Sequence, residues 1–176
     1  MSNGNVVPVS VFSSLTSTGY TSALIIGETR YEPNASPTDS VFWLTVFDLT
    51  DLSQVANETS DGTSVPSDIS QYVGNSQYFL YAVSSSADAT VAPQGDLYAL
   101  LQKVGAGQGL VQLEQLLSQL GTGFLGTFSY ILGAAMDESI PGFEAMSFFN
   151  FGLMTMGFLP ITVDGQTIYA PVQASA

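Results

Sequence analysis

Three carboxylates that lie close together in the sequence are the side chains best suited to chemistry in this chain. Asp137, Glu138 and Glu144 flank a Pro141-Gly142 turn. Two carboxylates suffice for glycoside hydrolysis, and carboxylate oxygens are the ligands that Ca²⁺ prefers. Their spacing matches no calcium-loop motif. We therefore treat Asp137, Glu138 and Glu144 as a candidate ligand surface, expect no catalytic, cofactor or metal site, and leave open whether this loop binds a cation.

The rest of the composition excludes most other enzyme chemistry. The 176 residues include no histidine and no cysteine, and only Lys103 and Arg30 are cationic. The chain therefore lacks an imidazole base, a thiolate nucleophile and a His/Cys zinc set. No Ser-x-x-Lys pair exists at Lys103, because residue 100 is leucine. The sequence predicts a protein that is not an enzyme and has no cofactor.

The charge pattern restricts the partners and the compartment. The net charge is −13, yet charged residues make up only 10 % of the chain, against about 25 % in an ordinary domain. Such a chain repels phosphate backbones, so we expect no nucleic acid partner. The N-terminus lacks the features of a signal peptide, and the neutral polar composition is typical of extracellular or virion proteins. The longest apolar segment, residues 148–161, is too short and too interrupted to span a membrane.

Apolar patterns predict a mainly β fold. The strongest strand signal is Val41–Asp48, which is apolar on both faces and typical of a central strand. Ser53–Thr59 is its expected hairpin partner. Further strands are predicted over Val6–Phe12, Ser22–Tyr31, Gln77–Ser84 and Thr127–Ala135, with a loop over Ser13–Gly19. Gly27 marks either a bulge or a close backbone approach within the second of these strands.

Leucine spacing predicts helices in the middle of the chain. Leu97, Leu100, Leu101 and Val104 recur at helical intervals and predict a helix over residues 95–104. A second helix is expected over 109–120 and a short one near 67–73. The sequence therefore predicts one α+β domain over residues 1–176, mainly β, as a sheet or sandwich with two to three short helices. Its core covers residues 22–146, with N- and C-terminal strand extensions that include the apolar region and hairpin of residues 147–174.

The apolar segment of residues 148–161 is a candidate contact surface. Large apolar groups occupy both alternating sets of positions, so a strand here would have no face for water. Two other strands are already predicted to occupy the centre of the core. We therefore predict a homo-oligomer or filament in which this segment and the Asp164-Gly165 hairpin contact a neighbouring chain. The alternative is that the segment closes the core of the monomer. The predicted interface residues are Phe148, Phe149, Phe151, Met154, Met156 and Phe158.

Several short motifs between residues 22 and 146 occur in a recognisable order. Asp48 and Leu52 form a turn after a strand, Leu101–Gly107 end a helix, and a last strand carries Tyr130, Leu132 and Gly133. This order resembles the interleukin-like EMT inducer family, also called the GG domain. The resemblance implies a sandwich with flanking helices that binds without catalysis, in some modules to carbohydrate. The cysteines of the animal members are absent here, and Ser60-Asp61 replaces their FD segment.

Three classes of function follow from these observations. The first is a non-catalytic, extracellular or virion-associated binding module for a glycan or protein ligand that also self-associates. The second is a purely structural subunit of a virion, fibre or other assembly. The third is a hydrolase that works through carboxylates alone.

Overall fold

A computed structural model describes residues 5–16, 19–34, 42–84, 93–120, 128–147 and 151–173. Ten strands and three helices are formed within these ranges. In chain order they are β1 Val7–Thr16, β2 Gly19–Ile26, β3 Thr29–Tyr31, β4 Phe42–Asp48, β5 Gln54–Ser60, α1 Ser67–Ser70, β6 Asn75–Ser84, α2 Gly95–Lys103, α3 Gln108–Leu120, β7 Ser129–Met136, β8 Phe143–Ser147, β9 Phe151–Val163 and β10 Gln166–Gln173.

The strands form two antiparallel sheets of five strands each. The first sheet has the order β10-β9-β1-β2-β3, and the second has the order β5-β4-β6-β7-β8. The predicted mainly β character is thereby confirmed. The chain enters the first sheet, builds the second sheet and the helices, and returns to the first sheet through β9, which pairs with β1.

Two apolar layers flank the second sheet because its central strands are apolar on both faces. Trp43 and Phe47 of β4 point toward the first sheet, where they meet Val9, Val11 and Leu24. The alternate residues of β4, Phe42, Leu44 and Val46, point the other way, toward Leu97, Leu101 and Leu113 of α2 and α3. The molecule is therefore a β-sandwich with a layer of helices on the outer face of the second sheet.

The structure corrects the expected loop over Ser13–Gly19. β1 continues to Thr16 and pairs with β2 from Gly19 onward, while residues 17–18 lie outside the described residues. The side chain of Ser13 is buried and donates a hydrogen bond of 2.8 Å to the carbonyl of Ser84. Ser13 can occupy a buried strand position because the opposite sheet supplies an acceptor for its hydroxyl group.

The predicted single strand over Ser22–Tyr31 was also wrong. Gly27, at a φ of +59°, forms a tight turn between β2 and β3 rather than a bulge within one strand. Its amide donates to the carbonyl of Pro8 at 2.9 Å, which attaches the turn to the start of β1.

The terminal strands are not extensions of a separate core. β1, β9 and β10 form most of the first sheet, and their inward side chains share one core with the second sheet. The hairpin at Asp164-Gly165 is confirmed, with φ of +50° and +80° at its two turn residues, as a type I′ turn requires. No helix in the described part of the chain is long and apolar enough to cross a bilayer.

Candidate functional site

β9 sorts the apolar C-terminal segment into two faces. Its inward residues Met154, Met156 and Phe158 are only 6 %, 3 % and 0 % exposed. Phe158 packs edge-to-face on Phe79 with ring centroids 5.3 Å apart, and the sulfur of Met156 accepts a hydrogen bond from Tyr81 at 3.5 Å. The prediction that these three residues form an oligomer interface was therefore wrong, because the core of the monomer already buries them. Phe148 and Phe149 lie outside the described residues.

The outward residues of the same strand form an exposed apolar row. Phe151 is 52 % exposed, Leu153 49 %, Ile161 39 % and Val163 44 %. Because the pairing of β9 with both neighbours is free of register shifts, alternate positions from residue 151 to 163 share one face. We call this row the β9 stripe. It consists of Phe151, Leu153, Thr155, Leu159, Ile161 and Val163, with Val6 beside it.

Val6 fills the one gap in the β9 stripe. Gly157 has no side chain, and a Cβ placed there would collide with Cγ1 of Val6. Val6 itself is 49 % exposed. The glycine therefore allows the segment before β1 to cover the strand and to supply the apolar group that Gly157 lacks. As a result the row is continuous along the whole of β9.

The β9 stripe and the residues beside it carry almost no net charge. β9 carries no ionisable side chain from Phe151 to Val163, although the chain has a net charge of −13. Phe12 of β1 lies directly opposite Leu153, and the guanidinium of Arg30 lies 5.3 Å from the centre of its ring. That guanidinium also pairs with Glu32 at 2.7 Å. The nearest cation is thus neutralised on the same face of the sheet.

The carboxylate of Glu144 is held by hydrogen bonds within the protein and is not free to bind a ligand. Its two oxygens accept hydrogen bonds from the amides of Gly109 at 3.1 Å and Leu110 at 3.0 Å, at the start of α3. The hydroxyl of Tyr130 donates to the same carboxylate at 2.6 Å. Burial, followed by this hydrogen bond, raises the pKa of Tyr130 far above its usual value. Glu144 therefore caps α3 from a neighbouring strand, which corrects its assignment to an open ligand surface.

The other two candidate ligand residues remain at the surface of the β7–β8 loop. Glu138 pairs with Lys103 at 3.1 Å, and both side chains are at least half exposed. Asp137 accepts a hydrogen bond from the amide of Ser139. Within the described ranges, no three acidic side chains lie close enough together to hold a metal ion. The structure thus does not bring Asp137, Glu138 and Glu144 together around one ligand.

An open cleft of about 480 Å³ lies between β8 and β9. Its walls include Phe143, Glu144, Leu153 and Thr155. The only ionisable group in this lining, Glu144, is engaged with α3 and Tyr130. The cleft therefore borders the β9 stripe, and its lining has no free acid or base.

The sequence interpretation missed two residues of this surface. Val163 was assigned to the hairpin and not to the apolar segment, and Val6 was assigned to an N-terminal strand extension. The signal for Val163 was the alternation of Leu159, Ile161 and Val163, which continues the outward set of positions. No sequence signal pointed to Val6, because its position depends on contact with Gly157.

The fold and this surface define a β-sandwich protein with an apolar strand row that no other described element covers. No protein-family model matches the chain, and no match is found among curated proteins. The resemblance to the interleukin-like EMT inducer family accordingly remains an expectation from the order of elements.

Proposed function

We propose that this protein is a non-catalytic binding module that self-associates through the β9 stripe, outside the cell or in a virion. The observation that carries the proposal is the exposure of Phe151 and Leu153 on one sheet face. Among the described residues, seven large hydrophobic side chains are exposed, and five of them, Val6, Phe151, Leu153, Ile161 and Val163, belong to this stripe. A concentration of this kind on one face is typical of a contact surface.

The chemistry of the stripe supports a protein partner rather than a glycan. Glycan platforms combine stacked aromatic rings with polar groups that hydrogen-bond to hydroxyls. The stripe has one aromatic residue, Phe151, and its other large groups are aliphatic. Binding through aliphatic side chains is favourable chiefly because it removes apolar surface from water, which contributes roughly 25 cal/mol per Å². A second apolar protein surface provides that gain.

Self-association can be tested by changing two stripe residues to serine. We expect the wild-type chain to be an oligomer by light scattering coupled to size exclusion. The F151S/L153S variant should associate about 100-fold more weakly, since each side chain contributes roughly 1.5 kcal/mol or more when buried. The matched control is V55S/I140S, because Val55 and Ile140 are exposed apolar residues away from the stripe, at 37 % and 41 %.

Two results would overturn the proposal. One is a wild-type chain that stays monomeric from micromolar to millimolar concentration. The other is a folded F151S/L153S variant whose mass distribution equals that of the wild type. The fluorescence of Trp43, which is fully buried and the single tryptophan of the chain, reports whether each variant is folded.

A further inference from the structure

The free edges of the first sheet are poorly suited to pairing with another copy. β3 has only three residues. On the open side of β10, the amide of Tyr169 already donates to the carbonyl of Leu49 at 2.8 Å. Pro171 lies two residues further along and therefore on the same side, and it has no N–H to donate. Such protection opposes growth of the sheet by edge addition.

The described outer edges of the second sheet offer little more. On β5, the carbonyl of Asn57 accepts from the side-chain amide of Asn34 at 3.2 Å, and that of Val55 accepts from the hydroxyl of Tyr72 at 3.4 Å. β8 has only five residues. The edge strands β3, β5, β8 and β10 are therefore poor sites for pairing between copies.

The β9 stripe is nearly symmetric about its middle. Gly157, covered by Val6, lies at the centre of the row. On one side follow Thr155, Leu153 and Phe151, and on the other follow Leu159, Ile161 and Val163. If a second row runs in the opposite direction over the first, Phe151 meets Val163 and Leu153 meets Ile161. Thr155 then meets Leu159, and the two Val6 side chains meet at the centre. A row of this form is complementary to itself, as a two-fold interface requires.

The charge of the surface favours a second copy of this chain as its occupant. A strand of 13 residues is about 40 Å long, and β1 and β10 each flank eight of those residues, so the face is two to three strands, or about 10–14 Å, wide. Two such faces bury roughly 900 Å² together, which is the size of a weak, reversible contact. The absence of ionisable groups on β9 from Phe151 to Val163 lets two strongly acidic chains meet without apposing carboxylates. A basic partner would find no acid to pair with on this strand.

We infer that two copies stack face to face through their β9 stripes, antiparallel, around a two-fold axis near Gly157 and Val6. This inference rests on the proposed self-association and adds its geometry. In this arrangement Leu153 of one copy lies over Ile161 of the other. Position 153 does not meet position 153 of the second copy, because the two are separated along the stripe.

The absence of native cysteine makes this geometry directly testable by disulfide formation. L153C and I161C are prepared as separate single variants, mixed, and oxidised, and the products are resolved on non-reducing gels. We expect the mixture to give a cross-linked dimer at least tenfold faster than either variant alone. The control mixture pairs L153C with Q102C, since Gln102 is exposed on α2, on the opposite side of the sandwich. V6C alone should cross-link with itself.

The outcomes separate the geometry from the proposed function. Rapid cross-linking of L153C with itself, without an advantage for the mixture, would overturn the antiparallel arrangement. Equal cross-linking in the Q102C control would mean random collision and would likewise overturn it. In both cases the proposed self-association stands if the F151S/L153S variant associates more weakly than the wild type. A wild-type chain that is monomeric would refute the proposed function, and the inferred geometry would fail with it.

Discussion

The indole nitrogen of Trp43 donates a hydrogen bond of 2.7 Å to the side-chain oxygen of Asn57. Trp43 is completely buried, so this bond satisfies a polar group that has no access to water. The amide nitrogen of Asn57 in turn donates to the carbonyl of Glu32 at 3.0 Å and to Asn34 at 3.1 Å. One side chain on β5 thus connects the core of the sandwich to the segment that follows β3.

Replacing Asn57 with alanine should destabilise the fold by about 1–3 kcal/mol, because it leaves a buried N–H without an acceptor. Urea denaturation followed by the fluorescence of Trp43 measures the change. N34A is the control, since Asn34 is exposed and makes only the outer bonds of this network. A loss for N57A no greater than that for N34A would show that the indole hydrogen bond contributes little to stability.

Replacing Glu144 with alanine should lower stability by about 1–2 kcal/mol, because α3 loses the acceptor for its first amides. E138Q should change stability by less than about 0.5 kcal/mol, since Glu138 belongs to an exposed ion pair. Thermal or urea unfolding of both variants provides the comparison. Equal effects would argue against the capping role of Glu144.

Stability should fall in alkaline solution because two tyrosines are buried in their neutral form. Burial raises the pKa of Tyr81 well above 10.0, and burial together with the hydrogen bond to Glu144 raises the pKa of Tyr130. Since the folded-state pKa exceeds the unfolded value, both groups stabilise the fold fully below about pH 10 and progressively less above it.

Ultraviolet absorbance and circular dichroism, recorded together against pH, test this expectation. The tyrosinate signal of Tyr81 and Tyr130 should appear only as the far-ultraviolet signal of the strands is lost. The Y130F variant should lose one tyrosine from this late phase. Complete titration of all tyrosines near pH 10 in a still folded chain would contradict it.

Replacing Pro171 with valine should promote higher-order association through the edge of β10. The substitution adds an N–H on the open side of the strand, next to Tyr169, and so restores a donor for pairing. We expect larger species in light scattering, beyond the oligomer of the wild type. A control at Gln173, Q173V, adds the same side chain without a new amide. Identical size distributions for the two variants would show that the proline does not protect this edge.

The sequence alone determined the elements whose signals are local. Leu97, Leu100, Leu101 and Val104 predicted α2 because one face of a helix is read from spacing within a few residues. The run Val41–Asp48 predicted β4 as a central strand. Asp164-Gly165 predicted the hairpin of β9 and β10, because turn geometry depends on two adjacent residues.

Only the tertiary structure decided what depends on distant partners. Ser13 lies in a strand because the carbonyl of Ser84, on the other sheet, accepts its hydroxyl. Glu144 is a helix cap because strand pairing brings it to the start of α3. In β9 the sequence showed apolar groups in both sets of positions, but the opposite sheet buries Met154 and Phe158 and leaves Phe151 and Leu153 in water. The burial of a side chain depends on what packs against each face, and that is fixed by residues far away in the chain.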